Sequence, residues 1–315
     1  MVKRLLDANA SDFAAMSARD LVESIRLSEG RVVAAEVAAV APPLLDKVSN
    51  AELAAGMGAD LILFNFYDVT APQVTGFPDQ EEATGPKAMP SAVWARVSWG
   101  RGVTLAQVKE WIGRPVGLNL EPVENPAALT TSGRLASPEN AQAALAQGAD
   151  FIVITGNPYT GVTTAGIARA LASIREAIGD RAVLLAGKMH AAGVSGPVIT
   201  AADVDAFANG GADGVVLPAP GTVPGMTVEI VHALVETAHT RGLLTMNTVG
   251  TSQEGASIST IEQLALMSKM TGADIHHLGD AGTVGMAVPE NIMAWSMTLR
   301  GRRHTWHRMT ASLRR

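Results

Sequence analysis

Two side chains near the middle of the chain have the types and spacing for carbonyl chemistry. Lys188 follows the apolar run Val183-Leu184-Leu185-Ala186-Gly187, and His190 lies two residues on, which in an extended segment puts both on one face. A lysine enclosed by apolar surroundings and near other cations loses its preference for the ammonium form. The free amine can then form a Schiff base with a carbonyl, while a neighbouring histidine moves protons near neutral pH. The alternatives are that Lys188 pairs with a phosphate or carboxylate of a ligand, or sits in a structural ion pair. Glu36, Glu121 and Asp280, each at the end of an apolar run, open a second chemistry. Three converging carboxylates can bind Mg²⁺ directly or through water, and the metal would polarise a carbonyl or phosphonate. Without metal, Glu36 or Glu121 is a candidate general base, and the remaining carboxylates would hold Lys188 and His190 by ion pairing.

Around these lie groups suited to binding. Asn65, Asn119, Thr155, Asn157 and Asn247 close further apolar runs and can hold substrate hydroxyls. Two late loops are rich in Gly, Ser and Thr. Gly250, Thr251 and Ser252 leave one run, and Gly282, Thr283 and Gly285 leave the last. Such loops let backbone amides converge on a phosphate while hydroxyls donate. Asp280 would repel a phosphate if it faced inward, which favours the amides from Gly282 to Gly285. Asp203-Val204-Asp205 resembles the D-x-D pair of haloacid-dehalogenase-type phosphatases only superficially. It follows Thr200-Ala201-Ala202, a helix start, and reads as a solvated helix face.

The elements that must position these groups are announced by a repeat. Gly-Ala-Asp occurs at 58–60, 148–150, 211–213 and 272–274, each time after an Ala-rich helical pattern and before a short apolar run. Glycine suits the left-handed end of a helix, Asp the turn, and a β-branched run a strand. Between these copies lie four more apolar runs, led by Arg31, Arg114, Arg181 and Arg241. Eight strands result, centred near Val33, Ile62, Gly117, Ile152, Leu184, Val215, Leu244 and His276. Their continuous apolar character indicates a parallel sheet buried on both faces, and eight β-α units indicate a closed barrel. No G-x-G-x-x-G follows the first strand, as a dinucleotide fold would require. The expectation is an α/β chain forming a single (β/α)8 TIM barrel over residues 1–315. It has an N-terminal helical cap (1–30), an insertion after the second strand (66–103) and C-terminal helices (286–315).

Within that insertion, the Pro-, Gly- and acid-rich piece from Asp68 to Pro90 is either a lid over the catalytic face or a surface excursion. Of His276 and His277, adjacent in one strand, only one can face the barrel interior. The basic tail after Glu290 carries Trp295, Trp306 and a run of arginines from Arg300 to Arg315. It is expected to cover the barrel or make an oligomer contact, with RNA or membrane contact as the alternatives.

Composition bounds the rest. The 315 residues include no cysteine, 24 Lys+Arg against 30 Asp+Glu, 47% hydrophobic and 17% charged residues. Disulfide scaffolds, thiolate metal sites and cysteine nucleophiles are therefore excluded, and disorder does not fit so apolar a chain. A net charge of −6 offers no general attraction to nucleic acid or anionic lipid. The longest apolar stretch is broken by Glu36 and Pro42-Pro43, so no membrane span is expected. The N-terminus lacks the apolar core of a secretory signal, and the expected location is cytoplasmic.

With its eight strand ends and two late Gly-rich loops, the chain resembles the phosphate-binding β/α-barrel enzymes. The opening Arg4-Leu5-Leu6-Asp7-Ala8-Asn9-Ala10-Ser11-Asp12-Phe13 and the closing Gly279-Asp280-Ala281-Gly282, Pro289-Glu290-Asn291 and Arg300-Gly301-Arg302-Arg303 are also similar to a bacterial barrel family. That family is loosely labelled phosphonomutase-like or hydrolase-like. The resemblance implies a barrel enzyme but brings no catalytic residues with it; Schiff-base aldolases usually carry their lysine on the sixth strand, whereas Lys188 falls on the fifth. The reading that follows is an aldolase, lyase or isomerase acting on a small phosphorylated carbonyl compound, needing no cofactor, in a homo-oligomer that binds neither nucleic acid nor membrane. The alternatives are a Mg²⁺-dependent lyase, mutase or hydrolase of the phosphonomutase and isocitrate-lyase kind, and a barrel that binds a metabolite without catalysis.

Overall fold

The computed structural model describes residues 2–80, 98–125, 127 and 129–315. Eight parallel strands close on themselves in chain order. They are β1 (Val32–Ala38), β2 (Leu61–Asn65), β3 (Val116–Leu120), β4 (Phe151–Ile154), β5 (Val183–Gly187), β6 (Gly214–Pro218), β7 (Leu244–Val249) and β8 (Ile275–Leu278). Closure is made by β1 lying beside β8, with Val33 opposite His276. Every strand centre expected from the sequence falls inside an observed strand. The fold is a (β/α)8 barrel.

Every strand residue is buried, and the alternation of side chains splits the core into two shells. Val32, Leu61, Phe151, Val183, Leu244 and Ile275 point inward, forming one cluster with Leu5, Phe13, Leu21 and Ile25 of the N-terminal segment. Helices α1 (Ala10–Ala15) and α2 (Ala18–Arg26) therefore plug the end of the barrel where the strands begin. The alternate residues, such as Val33, Ile62, Leu118, Ile152, Leu184 and Val215, face the outer helices in the second cluster. Those helices are α3 (Asn50–Gly56), α4 (Leu105–Ile112), α5 (Pro138–Ala146), α6 (Thr164–Ile178), α7 (Ala201–Asn209), α8 (Val228–Thr240), α9 (Ile258–Met270) and α10 (Pro289–Met309).

Local chemistry sets their starts. Ser17 with Asp20, Ser49 with Glu52, Thr104 with Gln107 and Thr200 with Asp203 each exchange side-chain and backbone hydrogen bonds as capping boxes. Asp203 is thus a helix cap, as its context indicated.

The Gly-Ala-Asp repeat has a second role beyond turning the chain. In all four copies the Asp carboxylate accepts a backbone N–H at the start of the preceding strand: Asp60 from Val33, Asp150 from Val116, Asp213 from Leu184 and Asp274 from Thr245, at 2.8 to 2.9 Å. Each carboxylate also meets a base from a surrounding helix. Lys109 of α4 lies 2.8 Å from Asp150, Arg175 of α6 lies 2.6 Å from Asp213, and His239 of α8 lies 3.0 Å from Asp274. Asp60 takes both Arg300 and Arg308 of α10, and all three side chains are buried. The barrel is thus built from four β-α-β-α quarters, each bolted by one aspartate.

The basic tail accordingly covers the barrel. Trp295 is buried, its indole N–H donating to the His276 carbonyl, while Trp306 is half exposed. The described parts of the insertion zip together, and the Thr75 N–H donates to the carbonyl of Ala39, the residue after β1. Val74 N–H donates to the Gly100 carbonyl and Gly76 N–H to the Ser98 carbonyl, and Tyr67, Val69, Val74 and Phe77 join the outer core. The remainder of the expected lid, residues 81–90, lies outside the described residues. Among the described residues no helix is long and apolar enough to cross a membrane.

Candidate functional site

At the end of the barrel where the strands finish, the loops surround a cavity of about 400 Å³. Glu36, Asn65 and Asn119 reach it from β1, β2 and β3; Thr155 and Asn157 reach it from the β4 loop. His190 enters from the β5 loop, Gly250, Thr251 and Ser252 from the β7 loop, and Asp280 from the β8 loop. Parity explains the selection on the first four strands. Inward positions run 32-34-36, 61-63-65, 117-119 and 151-153-155, so each of these runs reaches the cavity with a polar residue above apolar or glycine layers.

Glu36 lies at the centre of this arrangement. It is buried, and Asn119 Nδ2 donates to its Oε1 at 2.5 Å. Its other oxygen lies 3.3 Å from His277 Nε2, which points into the barrel from β8. Burial pushes the Glu36 carboxyl up to about 7, although the Asn119 hydrogen bond pulls the other way. Burial likewise holds His277 neutral, with its pKa lowered to about 4. Asp280 receives a 3.0 Å hydrogen bond from Asn65 Nδ2 and is pushed up to about 7, by burial first and by Glu36 second. Asn65 and Asn157 exchange two amide hydrogen bonds at 2.9 and 3.0 Å, tying the β2 and β4 loops together. His190 accepts the Ala192 N–H on Nδ1, so its neutral form carries the ring proton on Nε2. Its pKa is lowered by burial and then by Lys188.

The backbone of this rim is unusual as well. Phe66, Tyr159, Ala192 and Ser252 all have positive φ, between 54° and 73°. These four residues lie in the loops after β2, β4, β5 and β7, so non-glycine strain gathers around the cavity.

Several residues singled out from the sequence are turned elsewhere. Lys188, the first residue after β5, does not line the cavity, although Met189 and His190 beside it do. Its Nζ donates to the Ala191 carbonyl at 2.9 Å, and the nearest charge raising its pKa is Asp203 of α7. Burial lowers that pKa, but the amine is not presented to a ligand in the cavity. Glu121 is buried in an ion pair with Arg134, whose guanidinium also lies 4.5 Å above the Phe66 ring, and it accepts the Asn157 N–H at 2.9 Å. It therefore braces the β3 and β4 loops.

Asn247 points outward and donates to Ser268 of α9 and to Thr271, which caps that helix. Gly282, Thr283 and Gly285 form a packed turn. The Thr283 hydroxyl donates to the Met286 carbonyl, and a side chain at 282 or 285 would collide with Glu254 or Ala41. Of the two expected phosphate loops, only Gly250 to Ser252 borders the cavity. Among the described residues no three His, Asp or Glu side chains are grouped so as to hold a metal ion. Of the trio Glu36, Glu121 and Asp280, Glu121 is paired with Arg134 and does not line the cavity that the other two share.

One residue was missed by sequence reasoning. Glu254, in the 3-10 turn Gln253–Gly255, is completely buried and neither of its carboxylate oxygens has a hydrogen-bond partner. It sits within the fields of His277, Glu36 and Asp280, and burial pushes its carboxyl up to about 7. The only hint in the sequence was an acidic residue two positions beyond the Gly-Thr-Ser run. His277 could be narrowed only to one of a pair.

A comparison with curated proteins found no match. Solved structures with a similar barrel include a 2,3-dimethylmalate lyase described as a PEP mutase/isocitrate lyase superfamily member. It is 16% identical, with 83% of this chain and 80% of that one covered and a TM-score of 0.47. The dihydrodipicolinate synthase of Bacillus clausii is 15% identical, covering 92% and 79%, with a TM-score of 0.47. The deoxyribose phosphate aldolase of Aeropyrum pernix is 14% identical, covering 87% and 97%, with a TM-score of 0.45. These neighbours are named a lyase, a synthase and an aldolase, but at such identities and TM-scores they do not bear on what this chain binds or catalyses. A family model does match nearly the whole chain, residues 6–315, and the protein belongs to the family it describes, the domain of unknown function DUF7916.

Proposed function

We propose that this barrel is an enzyme that moves a proton to or from a small carbonyl compound held in the rim cavity, in a reaction of the aldol-cleaving, lyase or isomerising type. One observation carries the reading: Glu36 is a buried carboxyl on the cavity floor, oriented by Asn119 and backed by His277. A carboxyl whose pKa lies near 7 has both protonation states available at neutral pH, which suits a general acid–base. Glu36 would take the proton next to the carbonyl and return it to the product carbon. His190, with its ring proton on Nε2, is placed to donate to the carbonyl oxygen as negative charge develops there. Asn157 and Asn65, locked to each other, would fix the orientation of the substrate.

The test is hydrogen exchange in D₂O. Small aldehydes, ketones, hydroxyketones and 2-oxo acids, free and phosphorylated, are incubated with the protein and followed by proton NMR. The wild type should wash out a proton next to the carbonyl in at least one compound. Glu36→Gln should slow that washout about 100-fold or more while leaving the circular dichroism unchanged. Washout that survives in Glu36→Gln, or none with any compound, removes the proposal.

A further inference from the structure

We infer that the ligand of the rim cavity is an uncharged, hydroxyl-rich compound of monosaccharide size, and not a phosphate ester. This deepens the functional reading above and rests on the same cavity. Two polar atoms of residues that line that cavity are buried without a partner: Asn119 Oδ1, which can only accept, and the Thr155 hydroxyl, which can donate or accept. Both residues are almost fully buried, at 4% and 2% exposure. Leaving such atoms unpaired is unfavourable, so a ligand that fills the cavity is favoured when it supplies the missing bonds. His190 contributes a donor on Nε2, while Glu36 and Asp280 contribute carboxyl groups. A hydroxyl both donates and accepts, and so it matches this mixed set. An ammonium group only donates and a phosphate dianion only accepts.

The nearby cations are also committed elsewhere. Lys188 bonds the Ala191 carbonyl and Arg134 bonds Glu121, and among the described residues no lysine or arginine lines the cavity. A phosphate there would instead meet two carboxyl groups. Tyr159 supplies the remaining element of a sugar site. Its side chain stands at the cavity mouth, 93% exposed, held by a positive φ of 64°. Gly193 packs beneath it, a Cβ there coming within 3.3 Å of the Tyr159 Cα. An aromatic face in that position can cover the C–H face of a sugar ring while the groups below bind its hydroxyls.

The experiment is a binding screen on the full chain by thermal shift and saturation-transfer NMR. The probes are free aldoses, ketoses and polyols, the monophosphates of the same compounds, and amino sugars. At least one free compound should bind saturably and raise Tm, with its phosphate and its amino counterpart binding at least tenfold more weakly. Thr155→Val and, independently, the exposed-site variant Tyr159→Ala should each weaken binding by about tenfold. Tighter binding of a phosphate or an amino sugar, no binding of any free compound, or full affinity in both variants overturns the inference. Binding is read without turnover, so the two proposals fail separately. A free sugar that binds without any proton washout removes the acid–base reading alone, while washout confined to phosphorylated compounds removes this one alone.

Discussion

Glu254 shows what burial without a partner does to a single residue. A carboxyl lifted from 4.5 to about 7 on folding carries a penalty, once ionised, on the order of 3 kcal/mol. The sign follows from the direction of the shift. The folded pKa is above the unfolded one, so the acid favours folding below about 4.5, and that contribution is lost as pH rises through about 7. Glu254→Gln keeps the shape and cannot ionise. Its Tm should match wild type near pH 4 and exceed it increasingly toward pH 8. A difference that stays flat across that range would show that Glu254 does not titrate in this window.

At this scale the sequence placed Glu36, Asn65, Asn119, Thr155, Asn157 and Asp280 at strand ends, and all six border the cavity. Lys188 and Asn247 do not border it, and for Asn247 the reason is definite. In runs apolar at every position, nothing in the residue types reveals which parity faces inward, and a one-residue error reverses the side chain. Glu254 escaped because its direction is set by a 3-10 turn in a loop.

Among the elements, the four aspartate bolts are alike in geometry and differ in the base they hold. Arg175 offers Asp213 a guanidinium, and His239 offers Asp274 an imidazole. The hydrogen bond to Asp274 raises the His239 pKa above 6.5, so the pair contributes most below that value and loses its charge as pH rises past the raised pKa. Asp274→Asn should therefore lower Tm more at pH 6 than at pH 8. Asp213→Asn, facing Arg175, should lower it equally at both. Thermal unfolding at the two pH values decides the matter, and equal losses for Asp274→Asn would mean that the backbone N–H and hydroxyl of Thr245 are the partners of consequence. The strands and their order were readable because each Gly-Ala-Asp announces one of them. The bolts were not, since a carboxylate reaching back to the preceding strand's amide depends on barrel stagger rather than on local sequence.

For the molecule as a whole, one bolt differs in kind. Asp60 is buried between two buried arginines of α10, 240 and 248 residues away in the chain, and Arg308 also donates to the Leu5 and Ala8 carbonyls of the plug. Removing one member of a buried ionic group leaves its partners uncompensated, which typically costs about 3–5 kcal/mol. Asp60→Asn should lose that much in guanidinium unfolding, a large share of the stability of an ordinary domain. A loss under about 1 kcal/mol would mean the arginines find other acceptors.

The position of this bolt also sets an order of events. During synthesis the first quarter leaves the ribosome with a bare carboxylate at the threshold of its second strand, and the cations that neutralise it are translated 240 and 248 residues later. Until β8 arrives the nascent chain is an unclosed arc whose opening edge has no neighbour, and until α10 follows its plug has no clasp. The quarter made earliest is the last to be finished.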